Sequence, residues 1–234
     1  MVDIVVTKEM LAKIAKMPRA KRRQYLALIS ELEWKRCSED PLYWLDPAQH
    51  AIPYVYTLDP HPMFLCNMCK DGASHHFNKL STHLRLKHQR EDWVEETELR
   101  KIFSELPTTR PFTILPYMPP IINIWRREQL LAIEKSRDMM ATWLIVALYT
   151  WDTIFHSGRQ NILQSKDSRD ACELVDRAFF IWEHQPAFLR RYKATFNVGT
   201  TRSGMLTVAG LHSEILGFPQ GPDQIRQYHP SGVM

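Results

Sequence analysis

Two cysteines and two histidines carry the sharpest chemistry in this 234-residue sequence. In FLCNMCKDGASHHFNKLSTHLRLKHQR, Cys66-x2-Cys69 is followed after thirteen residues by His83-x4-His88. Zinc takes four nitrogen or sulfur ligands in a tetrahedron, and a CxxC knuckle supplies two of them from one turn. Two histidines at this spacing on a helix converge on the same ion. The stretch is too short to fold on its own buried apolar surface, so Zn2+ is expected to order it. Phe64 and Leu80 are expected to build its small core. His75 and His76 are rival ligands, ranked second because they fall in the presumed loop.

A second constellation lies in LLAIEKSRDMMATWLIVALYTWDTIFHS, Leu130 to Ser157. An apolar run, a polar turn and a longer apolar run predict buried strand, loop and buried helix. The open N–H groups of such a helix start bind anions. Lys135 and Arg137 would supply countercharge to a phosphate, and Thr142 a hydroxyl to a metal ion. The usual cradle is G-x-x-x-x-G-K-[ST], and this loop has no glycine. From the residues alone, a sharp strand-to-helix turn and a phosphate loop both stand.

The rest of the chain must position these groups. Hydrophobic residues at 44% and charged residues at 24% describe a globular chain with a substantial core. The net charge is only +4, but six basic residues and no acid lie between Lys13 and Arg23, and four more basic residues between Lys79 and Arg90. Such patches suit nucleic acid or a solvated helix face. MVDIVVTKEM has no signal-peptide pattern, and the uncharged run Ala141 to Trp151 is too short to cross a bilayer. Four cysteines, two in a CxxC, point to metal binding in a reducing compartment.

Residues 7–37 read as two helical pieces broken near Pro18, with Leu11, Ile14 and Ala15 on one apolar face and Tyr25, Leu28, Ile29, Leu32 and Trp34 on the next. Asp40 to Pro62 reads as an extended wrapping segment, and residues 91–110 as an amphipathic helix ending near Pro107. IINIWRR predicts a helix leading into the strand before Lys135. NILQSK reads as a strand with Ser165-Lys166 at its tip, SRDACELVDRAFFIWEHQP as a helix, and MLTVAG and SEILGFP as strands. Ala171, Leu174, Val175, Ala178 and Trp182 are the expected buried face of that helix. Strands alternating with helices predict an α/β fold with a parallel sheet covered on both faces.

The Cys–His segment resembles a C2H2 finger, and KLSTHLRLKH looks most like the helix of the BED-type variety. The resemblance implies a zinc module that often binds DNA, with Lys79, Arg85, Lys87 and Arg90 on or beside the helix as nucleic-acid contacts. A protein contact is the alternative use of one finger.

Taken in order, PFTILPYMP, EKSRDMMATW, NILQSKDSRDACELV and SEILGFPQGPDQIRQYHPSG resemble the large subunit of tailed-phage terminase, the motor that packages viral DNA. The resemblance covers about residues 40–234 without the finger. It implies a P-loop NTPase fold and a deviant Walker A running through Lys135, Ser136, Arg137, Asp138, Met139, Met140, Ala141 and Thr142. Lys135 matches the lysine that such loops carry at their first position, Arg137 a common basic residue, and Thr142 the magnesium ligand. ATP with Mg2+ would be the cofactor. Ser165 and Lys166 match the polar tip after the next strand. Two positions depart from the family: Met140 stands for a glycine and Met118 for a glutamine that reads adenine.

The resemblance also implies that the Walker B Asp-Glu pair and the nuclease domain lie past Val233-Met234. The chain then reads as an incomplete P-loop unit that binds ATP weakly and holds no catalytic residue of its own. Double-stranded DNA, the terminase small subunit and the capsid portal are the implied partners, and the cytoplasm of the infected bacterium the implied location. The expected organisation is 1–60 helical and extended, 61–92 finger, and 93–234 partial ATPase domain. A non-catalytic zinc-dependent DNA-binding or adaptor protein on a degenerate ATPase scaffold is the alternative.

Overall fold

The computed structural model describes residues 7–58, 63–69, 74–76, 80–88, 101–105, 108–135, 139–199, 204–221, 225 and 228–234. The chain is mixed α/β and divides into two compact units, one of residues 1–56 and 111–234, the other of residues 57–110. Among the described residues no helix is long and apolar enough to cross a membrane.

The larger unit begins with α1 (Lys8–Ala15) and α2 (Arg19–Glu39), broken at Pro18 as expected. Thr7 caps α1 by accepting from the Met10 N–H, and Pro18 precedes α2 because its ring cannot continue the preceding helix. Ile14 and Ile29 pin the two together in a small cluster of their own. Ala15, Tyr25 and Leu28, expected on buried faces, are exposed.

The wrapping segment after Asp40 is not wholly extended. Asp40 and Asp46 each precede a proline, and each carboxylate accepts an N–H two residues on. They thereby start α3 (Pro41–Leu45) and a single 3₁₀ turn (Pro47–Gln49). Proline at the first helical position gives up an N–H that would have had no partner there.

Strands β1 (Tyr56–Leu58) and β5 (Thr109–Pro111) form a two-stranded ribbon. Within the smaller unit, β2 (Met63–Cys66) pairs antiparallel with β3 (Ser74–His76) on one side and β4 (Phe103–Glu105) on the other, and α4 spans Leu80–His88. The helix expected over 91–110 does not reach Pro107. Residues 91–100 lie outside the described residues, and from Phe103 the chain is strand, because Ile102 and Phe103 bury against Cys66, Leu80 and Leu84 while β4 completes the ladder of β2.

The main sheet has the order β10-β6-β9-β8-β7, with β6 (Gln160–Ser165), β7 (Ala194–Val198), β8 (Gly204–Val208), β9 (Ser213–Pro219) and β10 (Gly232–Val233). β10, β6 and β9 are parallel, with Gln160 opposite Glu214 and Gly232 opposite Asn161. β8 and β7 are antiparallel, so the sheet is mixed and not the parallel sheet expected. β7, ATFNV, turns straight back into β8 as a hairpin, which needs no crossover helix.

α5 (Met118–Arg127), α6 (Ala141–Phe155) and α7 (Ser168–Glu183) complete the unit. Asp167 caps α7 through the Asp170 N–H, and Ala171, Leu174, Val175, Ala178 and Ile181 are its buried residues, Ile181 taking the place expected of the half-buried Trp182. Asn161 on β6 bonds Thr153 of α6, while Gly217 on β9 lies against Ala171 and Val175 of α7. Asn161 pairs with Ile215, two residues before Gly217, so α6 and α7 pack on the same face of the sheet. Leu163, Leu206 and Ile215 from that face join Leu144, Leu148, Val175 and Ala178 in the main core.

Candidate functional site

In the smaller unit the β2–β3 hairpin places Cys66 at a strand end and Cys69 in the following turn, while α4 presents His83 and His88. The Cys69 N–H donates to the Cys66 carbonyl, which closes the knuckle. Cys69 Sγ lies 3.2 Å from His83 Nε2 and 3.1 Å from His88 Nε2, and Cys66 Sγ lies 3.5 Å from His88 Nε2. All four ligand atoms fall within 4.8 Å of one another. A zinc tetrahedron with Zn–S near 2.3 Å and Zn–N near 2.0 Å has edges of roughly 3.3 to 3.8 Å. The four residues therefore lie close enough to hold a metal ion, and two sulfurs with two imidazoles are compatible with zinc.

Burial supports the same reading. Cys66 and His83 are buried, and Leu80, Leu84, Ile102 and Phe103 pack around them. The His83 ring meets Phe103 edge-on at 5.9 Å. Phe64 and Leu80 are in this core as expected, whereas Leu84, Ile102 and Phe103 were not foreseen. His75 and His76 lie on β3. Arg85 and Lys87 are exposed on α4. Lys79 and Arg90, the other two expected nucleic-acid contacts, lie outside the described residues.

The expected strand before Lys135 is absent. Residues 130–135 are irregular, and Leu130 is 89% exposed. A strand exists only against a neighbour, and among the described strands none pairs with this run. The helix after it does form, beginning at Ala141, one residue before the expected Thr142.

Met140 is the N-cap of α6 and sits in the left-handed region at φ 51°. That conformation suits glycine and strains a side chain, so the one loop position at which the terminase resemblance expects glycine also has glycine-like backbone. No side chain caps α6; its first intrahelical bond runs from the Leu144 N–H to the Met140 carbonyl. Among the described residues nothing accepts from the amides of Ala141, Thr142 and Trp143, as an anion site requires. Tyr117 braces the loop by donating its hydroxyl to the Met139 carbonyl.

Lys135 and Thr142 line the same cavity, of about 710 Å3, together with Trp125, Tyr149, Asp152 and Asn161. Ser136, Arg137 and Asp138 lie outside the described residues. Asp152 is held by Arg159 at 3.1 Å and His156 at 3.5 Å and accepts from Asn161 Nδ2 at 3.0 Å. β10 closes one wall: a Cβ on Gly232 would lie 2.3 Å from the Tyr149 ring, so only glycine fits there, and the Tyr149 hydroxyl donates to the Val233 carbonyl. Met118 takes no part in the cavity lining; it is fully buried in the core, its sulfur accepting from the Leu115 N–H.

One polar cluster escaped the sequence reading. Glu33 is 1% exposed on α2, and its Oε2 accepts from the Tyr43 and Tyr54 hydroxyls at 2.9 and 2.7 Å. Arg36 lies 3.6 Å from its Oε1. Burial first, and then the hydrogen bond to Glu33, push both tyrosines well above the ordinary phenol range. His50 stacks on Tyr54 and donates from Nε2 to the Tyr43 carbonyl, and burial pulls its pKa below the usual imidazole value. A glutamate inside a helix reads as solvated, and only the two tyrosines ten and 21 residues on could have signalled otherwise.

No protein-family model matches the chain. No curated protein matches it either.

Proposed function

We propose that the chain belongs to a phage terminase large subunit, with a zinc finger inserted ahead of a deviant phosphate loop. The observation that carries this reading is the left-handed backbone of Met140. It stands at the loop's glycine position, directly before three helix amides that have no acceptor among the described residues, with Lys135 and Thr142 lining one cavity. In this reading ATP·Mg binds with its phosphates on the Ala141–Trp143 amides. Lys135 supplies charge and the Thr142 hydroxyl ligates magnesium. Zinc on Cys66, Cys69, His83 and His88 folds the finger. Duplex DNA, the small subunit and the portal are the partners, in the cytoplasm of the infected bacterium. Affinity for ATP·Mg is the readout for this reading.

Equilibrium titration with ATP·Mg tests the proposal. Lys135→Ala removes one charge-assisted contact, worth about 1.5 to 3 kcal/mol, and should weaken binding by roughly 10- to 100-fold. No affinity in the unaltered chain, or no change in the variant, rejects the motor reading.

A second reading is favoured by the unequal completeness of the two sites. The finger has its four ligands together, whereas the run before Lys135 forms no strand. A non-catalytic, zinc-dependent DNA-binding or adaptor protein would need only the finger, and would leave the titration flat while retaining the metal.

A further inference from the structure

The corner between α1 and α2 is used by neither site. Its charge is lopsided: Lys13 and Lys16 end α1, and Arg19, Lys21, Arg22 and Arg23 open α2. Five of the six are exposed; Arg22 is half-buried and reaches back to the Ala15 carbonyl, bracing the corner. None pairs with a carboxylate among the described residues. Of the flanking acids, Glu9 lies a turn away on α1 and Glu31 is engaged by Arg191 at 2.5 Å.

Folding alone does not favour this arrangement. A helix start carries partial positive charge and open amides, so four cations there repel both it and one another. α2 has no acid in its first turn and no side-chain cap. The corner is nonetheless held in place. Ile14 and Ile29 form its small core, and Ser30 and Arg191 tie the middle of α2 to the rest of its unit, Ser30 Oγ through the Phe188 carbonyl and Arg191 through the Ser30 carbonyl and Glu31.

A firmly mounted array of uncompensated cations along two helix ends complements an extended polyanion, not a single phosphate group. A membrane surface fits less well. Tyr25, Leu26 and Leu28 are exposed, but only Tyr25 and Leu28, three residues apart, share a face while Leu26 faces away, and two side chains fall short of the continuous apolar face that an interfacial helix buries in lipid. We propose that the α1–α2 corner binds the phosphate backbone of duplex DNA, without reading its sequence, through Lys13, Lys16, Arg19, Lys21 and Arg23. This surface needs neither ATP nor the finger, and its failure would leave the nucleotide reading untouched.

Fluorescence anisotropy of the full chain with a labelled duplex of arbitrary sequence, over roughly 50 to 200 mM salt, tests it. The triple variant Arg19→Ala, Lys21→Ala, Arg23→Ala should lower the slope of log K against log salt by about two to three and weaken binding at least about tenfold. Alanine favours helix, so circular dichroism should be unchanged. The same decrement should persist in a Cys66→Ser background. An unchanged slope in the triple variant, a decrement that vanishes in Cys66→Ser, or charge-dependent binding to phosphatidylserine vesicles with none to the duplex would each overturn the proposal.

Discussion

The Cys–His cluster, proposed as a finger, and the loop before α6 are both candidate sites of a few residues, yet they are built from different material. The finger is a side-chain site. Four ligand atoms come from two short elements joined by a hairpin, and they converge within 4.8 Å. The proposed phosphate loop would be a backbone site, made of the amides of Ala141, Thr142 and Trp143 and the left-handed turn at Met140. A side-chain site depends on residue identity and local spacing. A backbone site depends on how the surrounding chain is held, and Met140 takes the left-handed conformation although glycine suits it best.

That contrast sets the order of expected effects. The largest belongs to the metal. Chelation, or Cys66→Ser, removes binding energy that in isolated fingers amounts to about 10 to 16 kcal/mol. Residues 63–105 should then become protease-sensitive, one equivalent of zinc should be lost, and the larger unit should keep its helices. A metal-free protein with unchanged protection in that stretch would erase the distinction between the two sites.

Next is the finger's apolar core. Leu84→Ala empties a fully buried position in a cluster of few residues and should cost about 2 to 5 kcal/mol of that unit's stability, seen as weaker zinc retention against a competing chelator. An unaffected zinc affinity would mean that metal alone holds the fold.

Met140→Gly should go the other way. Relief of the left-handed strain is worth up to about 1 kcal/mol, partly offset by the freer unfolded chain, so the urea midpoint should hold or rise while ATP·Mg binds more tightly. A lower midpoint with no gain in affinity would separate this turn from phosphate binding.

The smallest effect lies outside both sites. His50 has its folded pKa depressed, chiefly by burial, with Glu33 and Asp46 opposing the shift. Its neutral form therefore stabilises the fold above the unfolded value of about 6.5, and that contribution is lost as pH falls through the lower folded value. Urea midpoints should decline between about pH 7.5 and 5, and His50→Gln should flatten that decline.

Legibility followed the same division. Cys66, Cys69, His83 and His88 could be picked out because ligand spacing is local, and Pro18 because a proline's effect on a helix is local. α7 was readable from its period, even though Ile181 replaced Trp182 in the core. Strands were harder, since pairing partners lie far away in sequence. LLAIE had the composition of a strand but no neighbour, whereas ATFNV looked unremarkable and became β7 by pairing with β8. The start of α3 was missed although Asp40-Pro41 is a local capping signal. Glu33 could not be read as buried, because the tyrosines that satisfy it come from outside its helix.

The claim that a backbone phosphate site opens α6 is tested most directly by amide hydrogen exchange with and without ATP·Mg. Exchange should slow at Ala141, Thr142 and Trp143 when ATP·Mg binds, an effect abolished in Lys135→Ala, with residues 63–105 unchanged. Slowing confined to other segments, or none at ATP concentrations that saturate binding, would contradict it.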